Sequence, residues 1–378
     1  MRWIAVAAAF LLAAGAWGIA PGGARADETI EPLRLGDILS RDPLQAPAAC
    51  ANVSYGSGPP GGAAATLPPN PDGPTRVDVA LFVVAVDEID SAANSFRFEG
   101  YGGLIWCDPR QAFDAPAAGG EVRRTEGEEV ARAIRGIWWP GLMLPTQLGQ
   151  PDLANQTLEV HSDGTIEFSA KFNSRMIARY DFRRFPLDTQ RLDIVIQVGR
   201  PDAGAIVIGQ APGRVGLGRE FDIPEWEVTG YSIDVAPDER PARFTMTLAI
   251  GREVGYYLWK ILLPLIIIVC VAWSTFWMTR DVLAQRQRQS GTAILTVVAF
   301  QFIAAADLPR VAYLTLMDLA ILWTYLIIGG TLLTNIVNNR RFRAGEALGV
   351  QGDRIGRRYY LIIYLLGILA VFSLAAFI

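Results

Sequence analysis

Apolar residues follow two different rhythms along this chain. Between Arg76 and Arg252 they come in short or alternating runs, at 77–86, 95–106, 157–161, 165–172, 192–198 and 226–235. Turn formers separate the runs, among them Asp108-Pro109, Ser162-Asp163-Gly164 and Pro237-Asp238. Alternation puts every second side chain on one face of a strand, so this region predicts an antiparallel β-sandwich. Beyond Arg252 the apolar stretches lengthen, at 256–278, 290–306, 314–337 and 359–378. Each is near the length a helix needs to cross about 30 Å of hydrocarbon, and in lipid a helix satisfies its own backbone. The predicted architecture is therefore a β-sandwich followed by a four-helix transmembrane bundle.

The ends of these stretches orient the bundle. Arg280, Arg286 and Arg288 follow the first span, and Arg340, Arg341, Arg343, Arg354, Arg357 and Arg358 lie between the third and fourth. Cytoplasmic loops retain Lys and Arg, which places both connections in the cytoplasm and the sandwich and C-terminus on the other side. The N-terminus points the same way. Arg2, the apolar run 4–20 and Ala24-Arg25-Ala26 read as a signal peptide over 1–26, and the run is short for an uncleaved anchor. The expected location is the inner membrane of a bacterium, with the sandwich periplasmic. Residues 27–75, dense in Pro, Gly and Ala, read as an irregular extension. The sensing domain then occupies 76–252 and the pore domain 253–378.

Composition narrows the function. A 51% hydrophobic share and mean hydropathy of +0.25 fit a membrane protein, and a net charge of −4 gives no basic face for nucleic acid. The chain has one histidine, His161, beside a predicted turn, where a structural role is expected. Zinc-ligand spacing, a phosphate-cradling glycine loop and a nucleophile elbow are all missing from the sequence, so no metal or cofactor is expected and enzymatic catalysis has no constellation to rest on. Of three cysteines, Cys50 and Cys107 fall in the exported part. An oxidising compartment permits a disulfide between them, and two separate buried thiols are equally compatible with the sequence.

The second span differs in kind. Arg288, Thr292, Leu295, Ala299, Phe302 and Ala306 recur at spacings of four and three, which collects them on one helix face. Polar residues in a span are costly and turn toward protein or water. Thr292, Thr296 and Gln301 make this the least lipid-like of the four, and its striped face is expected to line a pore.

At these residues the chain resembles the pentameric ligand-gated channel, or Cys-loop receptor, family, and its prokaryotic branch in particular. The most specific element is Asp181-Phe182-Arg183-Arg184-Phe185-Pro186-Leu187-Asp188-Thr189-Gln190, whose second half is similar to the family's Phe-Pro-Phe/Met-Asp-x-Gln loop. The animal disulfide would need cysteines near Ala178 and Leu192, and neither is present. Trp138-Trp139-Pro140, Arg252, Pro264 and Leu308-Pro309-Arg310 follow in the family's order. The resemblance implies a homopentamer, each chain with four identical partners in a lipid bilayer, whose second spans ring a pore for inorganic ions. It implies coupling through the hairpin at Asp87 to Ser91 with Asp90, the loop with Phe185, Pro186 and Asp188, Arg252 set between Asp90 and Asp188, and Leu308, Pro309 and Arg310.

Within that frame Leu295 and Phe302 are the expected gate, since apolar rings close pores by dewetting. The cation-selective pattern of the family has an acidic ring near Ala284 or Gln285, no acid occupies that ring here, and a ring of Arg288 suits an anion pore. If Arg286 and Arg288 turn instead toward neighbouring helices or headgroups, the pore passes cations. The agonist is a small molecule or protons. Trp138, Trp139, Arg200, Tyr231 and Arg240 are candidate pocket residues, and the presumed capping loop 236–242 carries no aromatic for a cation cage. A non-conducting periplasmic binding receptor with the same fold is the alternative from another class.

Overall fold

The computed structural model describes Cys50 and residues 67–70, 73–91, 93–199, 206–218, 221, 223, 225–236, 241–278, 283–305 and 311–377. The signal-peptide reading, most of the 27–75 extension, Arg200, Arg240, Ala306 and Leu308-Pro309-Arg310 lie outside the described residues.

Among the described residues, ten strands form two sheets. β1 (Thr75–Asp90), β2 (Ser95–Cys107), β3 (Val122–Glu126), β5 (Gln147–His161), β6 (Thr165–Ile177) and β8 (Ile206–Leu217) make one, in the order β3-β5-β6-β2-β1-β8. β4 (Leu142–Met143), β7 (Thr189–Val198), β9 (Trp226–Ala236) and β10 (Ala242–Arg252) make the other, in the order β4-β7-β10-β9. Alternation builds the core between them: Val77, Val79, Leu81 and Val83 of β1 and Ile166, Phe168, Ala170 and Phe172 of β6 are buried together with Leu192, Ile194, Ile196 and Val198 of β7 and Phe244, Met246, Leu248 and Ile250 of β10. Inner faces that interdigitate in this way are what hold a sandwich together. At Gly103 the β2 backbone comes so close to β6 that an added Cβ would meet the Phe168 carbonyl at 1.9 Å, so only glycine fits.

One pairing departs from the antiparallel expectation, since β8 runs parallel to β1. β8 follows β7 of the opposite sheet, so it enters by crossing between layers, not by a hairpin, and a crossover permits parallel pairing. Two short helices, α1 (Ala115–Ala118) and α2 (Glu128–Ile134), lie between β2 and β4. The structure joins Cys50 to Cys107 by a disulfide with Cα atoms 5.1 Å apart.

Four further helices follow. α3 (Gly255–Trp277) contains a π-helical segment, Leu258–Leu262, which ends two residues before Pro264. Proline lacks an N–H and clashes with the carbonyl four residues back, and the wider turn accommodates it. α4 is Leu283–Ala304. α5 (Leu316–Ala344) starts on a capping box in which Thr315 and Asp318 exchange side-chain and backbone bonds. α6 is Glu346–Ser373. Three of the four, all but α4, are long and apolar enough to cross a membrane. The polar residues of α4 that mark it as unlike lipid also keep it below that threshold. The basic segment 340–358 is not an extended loop, because α5 carries Arg340, Arg341 and Arg343, α6 carries Arg354, Arg357 and Arg358, and only Gly345 separates them. Arginine is a good helix former, so charge alone does not end a helix.

Candidate pore helix and coupling interface

Arg286, Ser290, Ala293, Val297 and Ala304 form a buried stripe along α4, packed toward α3, α5 and α6. A step of two residues turns a helix by about 200°. Arg288, Thr292, Leu295 and Ala299 stand two residues after the first four buried positions and are all exposed, as is Phe302. Leu295 is 69% and Phe302 78% exposed, so the sequence-predicted stripe is the face that this protomer leaves uncovered. Thr292 and Thr296 donate to the carbonyls four residues earlier, Arg288 and Thr292, which satisfies their hydroxyls within the helix.

The two arginines at the foot of α4 part company. Arg288 is exposed, while Arg286 is buried and forms a two-pronged bridge to Asp353 of α6, both N···O distances being 3.0 Å. Asn338 of α5 donates to the same carboxylate at 3.0 Å, and Arg286 Nη2 also donates to the carbonyl of Met278, one residue past α3. Burial without a partner would cost such an ion several kcal/mol, so the pair and its amide hold three helices in one register. Higher up, Asn335 donates to Thr275 and Ser290, and Tyr325 donates to Gln301 at 2.8 Å.

The sandwich meets the helices at Arg252, the last residue of β10. Its guanidinium bonds Asp188 at 2.9 and 3.3 Å and Tyr257 Oη at 3.0 Å, and lies 4.0 Å from the Trp226 ring centre. The arginine and aspartate side chains are 6% and 1% exposed. Gln190 clamps the loop by donating to Asp188 at 2.7 Å and to the Asp181 carbonyl at 2.7 Å, while accepting from Asp181 N–H at 3.0 Å. This supplies the Asp188 half of the expected arrangement. Asp90 accepts the Ala93 N–H at 2.9 Å at the hairpin tip.

The 182–188 loop, with its cis Phe185-Pro186 bond, belongs as much to the helices as to the sandwich. Phe182 and Phe185 are buried in the helical core with Tyr257, Ile261 and Met317, and the Phe185 ring stands edge-on to Tyr257 at 4.8 Å. Leu316 N–H donates to the Arg183 carbonyl and Met317 N–H to that of Phe185, each at 3.3 Å, and Tyr313 Oη accepts from Phe182 N–H at 2.9 Å. Trp226, Tyr257, Tyr313 and Asp353 were not singled out from sequence. Tyr257, five residues after Arg252, was the one with a local signal, whereas Trp226, Tyr313 and Asp353 reach their partners from far along the sequence.

Of the candidate agonist residues, Trp138, Trp139 and Tyr231 are described. Trp138 is 2% exposed and packs with Trp139, Trp106 and Phe168 as sandwich core, with ring centres 5.0–6.4 Å apart. Their size and apolar bodies account for that placement, and it takes Trp138 out of any open pocket. Tyr231 is half-buried on β9. Tyr180 donates to the Ser95 carbonyl at 3.0 Å, and burial, aided by Asp90, pushes its phenol well above the ordinary value.

The 182–188 loop is thus seated in the helical core, and α4 leaves one striped face uncovered. Residues 64–198 match the neurotransmitter-gated ion-channel ligand binding domain. The chain is 27% identical to a proton-gated ion channel of Gloeobacter violaceus over 68% of this chain and 71% of that one. It is 21% identical to a gamma-aminobutyric acid receptor subunit beta-like protein of Drosophila melanogaster, over 71% of this chain and 57% of the relative. It is 24% identical to a glutamate-gated chloride channel subunit beta of Haemonchus contortus, over 66% and 60%. The chain thus spans less than two thirds of the two animal relatives. These matches make the chain similar to the Cys-loop family of ligand-gated ion channels.

Proposed function

We propose that this chain is one subunit of a homopentameric, anion-preferring ligand-gated channel of a bacterial inner membrane, with a periplasmic sandwich over residues 76–252 and a pore domain over 253–378. The carrying observation is the offset on α4: the side chains two residues past the buried stripe are uncovered in the protomer and run from Arg288 through Thr292, Leu295 and Ala299 to Phe302. Five copies around an axis would turn that face to a common lumen. Arg286 is neutralised by Asp353, so Arg288 is the exposed arginine of α4 that sets the field at the mouth, and α4 contains no acidic residue to oppose it. Basic rings suit anion pores. Leu295 and Phe302 serve as the apolar gate, and the Arg252–Asp188 clamp carries agonist binding in the sandwich to the helices.

The agonist is a small polar molecule or the proton, and the name of the Gloeobacter relative favours testing protons first. Reversal potentials under a chloride gradient, in liposomes or oocytes, with pH and small metabolites scanned, decide the central point. A current that follows chloride and loses that preference in Arg288→Gln supports the reading. A cation-following current indifferent to that substitution refutes the anion assignment, and silence from assembled pentamers under all conditions favours a non-conducting receptor.

A further inference from the structure

The β5–β6 hairpin gathers three metal-binding side chains that the channel reading leaves unused. Glu159 and Glu167 stand directly opposite one another in the β5–β6 ladder, and His161 follows Glu159 by two residues. Period-two geometry therefore places all three on the same face, the one away from the core-facing Val160, Ile166 and Phe168. One donor atom from each lies within 4.8 Å of the others.

The histidine is the informative member. It is 9% exposed, and its Nε2 is buried without a hydrogen-bond partner among the described residues. That nitrogen points at Glu159 Oε2 from 4.0 Å, too far for a hydrogen bond. A buried imidazole nitrogen left without a bond forfeits its solvation, so something that binds it is favoured. Two bonds of about 2.0–2.2 Å to one ion span such a gap once the angle between them is wide or the glutamate shifts slightly.

The carboxylates are held ready for this. Glu159 bonds Arg124 of β3 through Oε1 at 2.8 Å and turns Oε2 to the imidazole, while Glu167 bonds Arg214 of β8 through its own Oε1. Each arginine fixes one oxygen and leaves the other. The turn beneath them is firm: Gly164, at φ +90°, lies so near Asp108 that a Cβ would meet its carbonyl at 2.8 Å, and Asp163 accepts from Thr165 N–H at 2.8 Å. One imidazole nitrogen with two carboxylate oxygens is a borderline donor set, suited to zinc-like divalent transition ions and poorly to calcium or magnesium, which prefer all-oxygen cages.

We propose that Glu159, His161 and Glu167 form a binding site for a zinc-class divalent cation on the outer face of the larger sheet. Water completes the coordination.

Because His161 is the only histidine in the chain, the test is clean. Full-length protein without a histidine tag is titrated with zinc chloride, and the bound metal is examined by X-ray absorption. The expected result is one zinc per chain with a single imidazole and oxygen neighbours at about 2.0–2.2 Å. His161→Asn is expected to weaken binding by about tenfold or more, and Glu167→Gln, which keeps the side-chain shape, likewise. Calcium and magnesium should compete poorly. Far-ultraviolet circular dichroism of each variant confirms folding. The proposal is overturned if folded wild-type protein binds no stoichiometric zinc, if the absorption spectrum lacks imidazole scattering, or if folded His161→Asn and Glu167→Gln both keep wild-type affinity.

Discussion

Replacing Arg252 by Gln keeps a polar side chain at the end of β10 and deletes the one cation facing Asp188. In the native protein that carboxylate, 1% exposed, receives two guanidinium bonds and one from Gln190. Without the arginine it keeps only the amide, and truncating one partner of a buried ion pair costs about 3–5 kcal/mol. The Tyr257 hydroxyl bond and the stacking on Trp226 disappear as well. For a domain of this size about 2–4 °C accompanies each kcal/mol, so the melting temperature of the purified protein should fall by about 6–20 °C. Asp188→Asn in the same chain removes the orphaned charge, so the double variant should recover part of the loss. Melting followed by tryptophan fluorescence, with size-exclusion chromatography for assembly, measures both. A drop of only a degree or two, or a double variant that loses the sum of the two single losses, would refute the claim that this pair is a closed, buried clamp. Where the variants still assemble, ligand-evoked flux should fall further than stability, since the same bond joins sensor to helices.

Arg286→Gln should destabilise the helical bundle by about 3–5 kcal/mol by orphaning Asp353, while Arg288→Gln should leave melting nearly unchanged; thermal unfolding of the pair separates the buried arginine from the exposed one. Leu295→Ser should wet the narrow part of the pore and raise resting flux, and unchanged resting flux in assembled protein would remove Leu295 from the gate. Gly164→Ala should cost about 1–3 kcal/mol in the sandwich, because alanine would have to occupy φ +90° against the Asp108 carbonyl, and denaturant titration would show it. Tyr180 makes stability depend on pH with a defined sign. Its folded pKa is raised above 10.0, so its contribution is intact below about pH 10 and is lost as pH rises further, when the unfolded chain releases the phenolic proton first. Tyr180→Phe should flatten the alkaline fall in stability, and equal slopes for both proteins would contradict the burial argument.

The parts of the structure that were legible in sequence are those where burial imposes a period. Val77 to Val83 and Ile166 to Phe172 announce strands because one face is core, and Phe244, Met246, Leu248 and Ile250 of β10 carry the same signal. β3, with the sequence VRRTE, is a polar edge strand, and β8 is interrupted by Gly209, Pro212 and Gly213, so neither shows an apolar rhythm. The α4 stripe was legible for the same periodic reason, and its buried counterpart follows from it by a half-turn. That Arg286 and Arg288 take opposite sides follows from their spacing, but which one is inside depends on Asp353, 67 residues away, and no local pattern encodes that distance. Trp138 and Trp139 illustrate the converse: their size made them visible, yet size serves a core as well as a pocket. Glu159 and His161 read as one acid and a lone histidine until the hairpin folds Glu167 beside them.

The Arg286–Asp353–Asn338 knot also has a mechanical side. It fastens α4 at its foot to two other helices, and the helix above it rises about 1.5 Å per residue. A rod anchored at one end moves as a lever. Tilting α4 by about 10° about that anchor would shift Leu295 by roughly 2 Å, Phe302 by roughly 4 Å, and Arg288 by about half an ångström. A small push delivered at the sandwich end would then widen the apolar rings and leave the charged mouth nearly still, so one protein could open and close without changing which ions it admits.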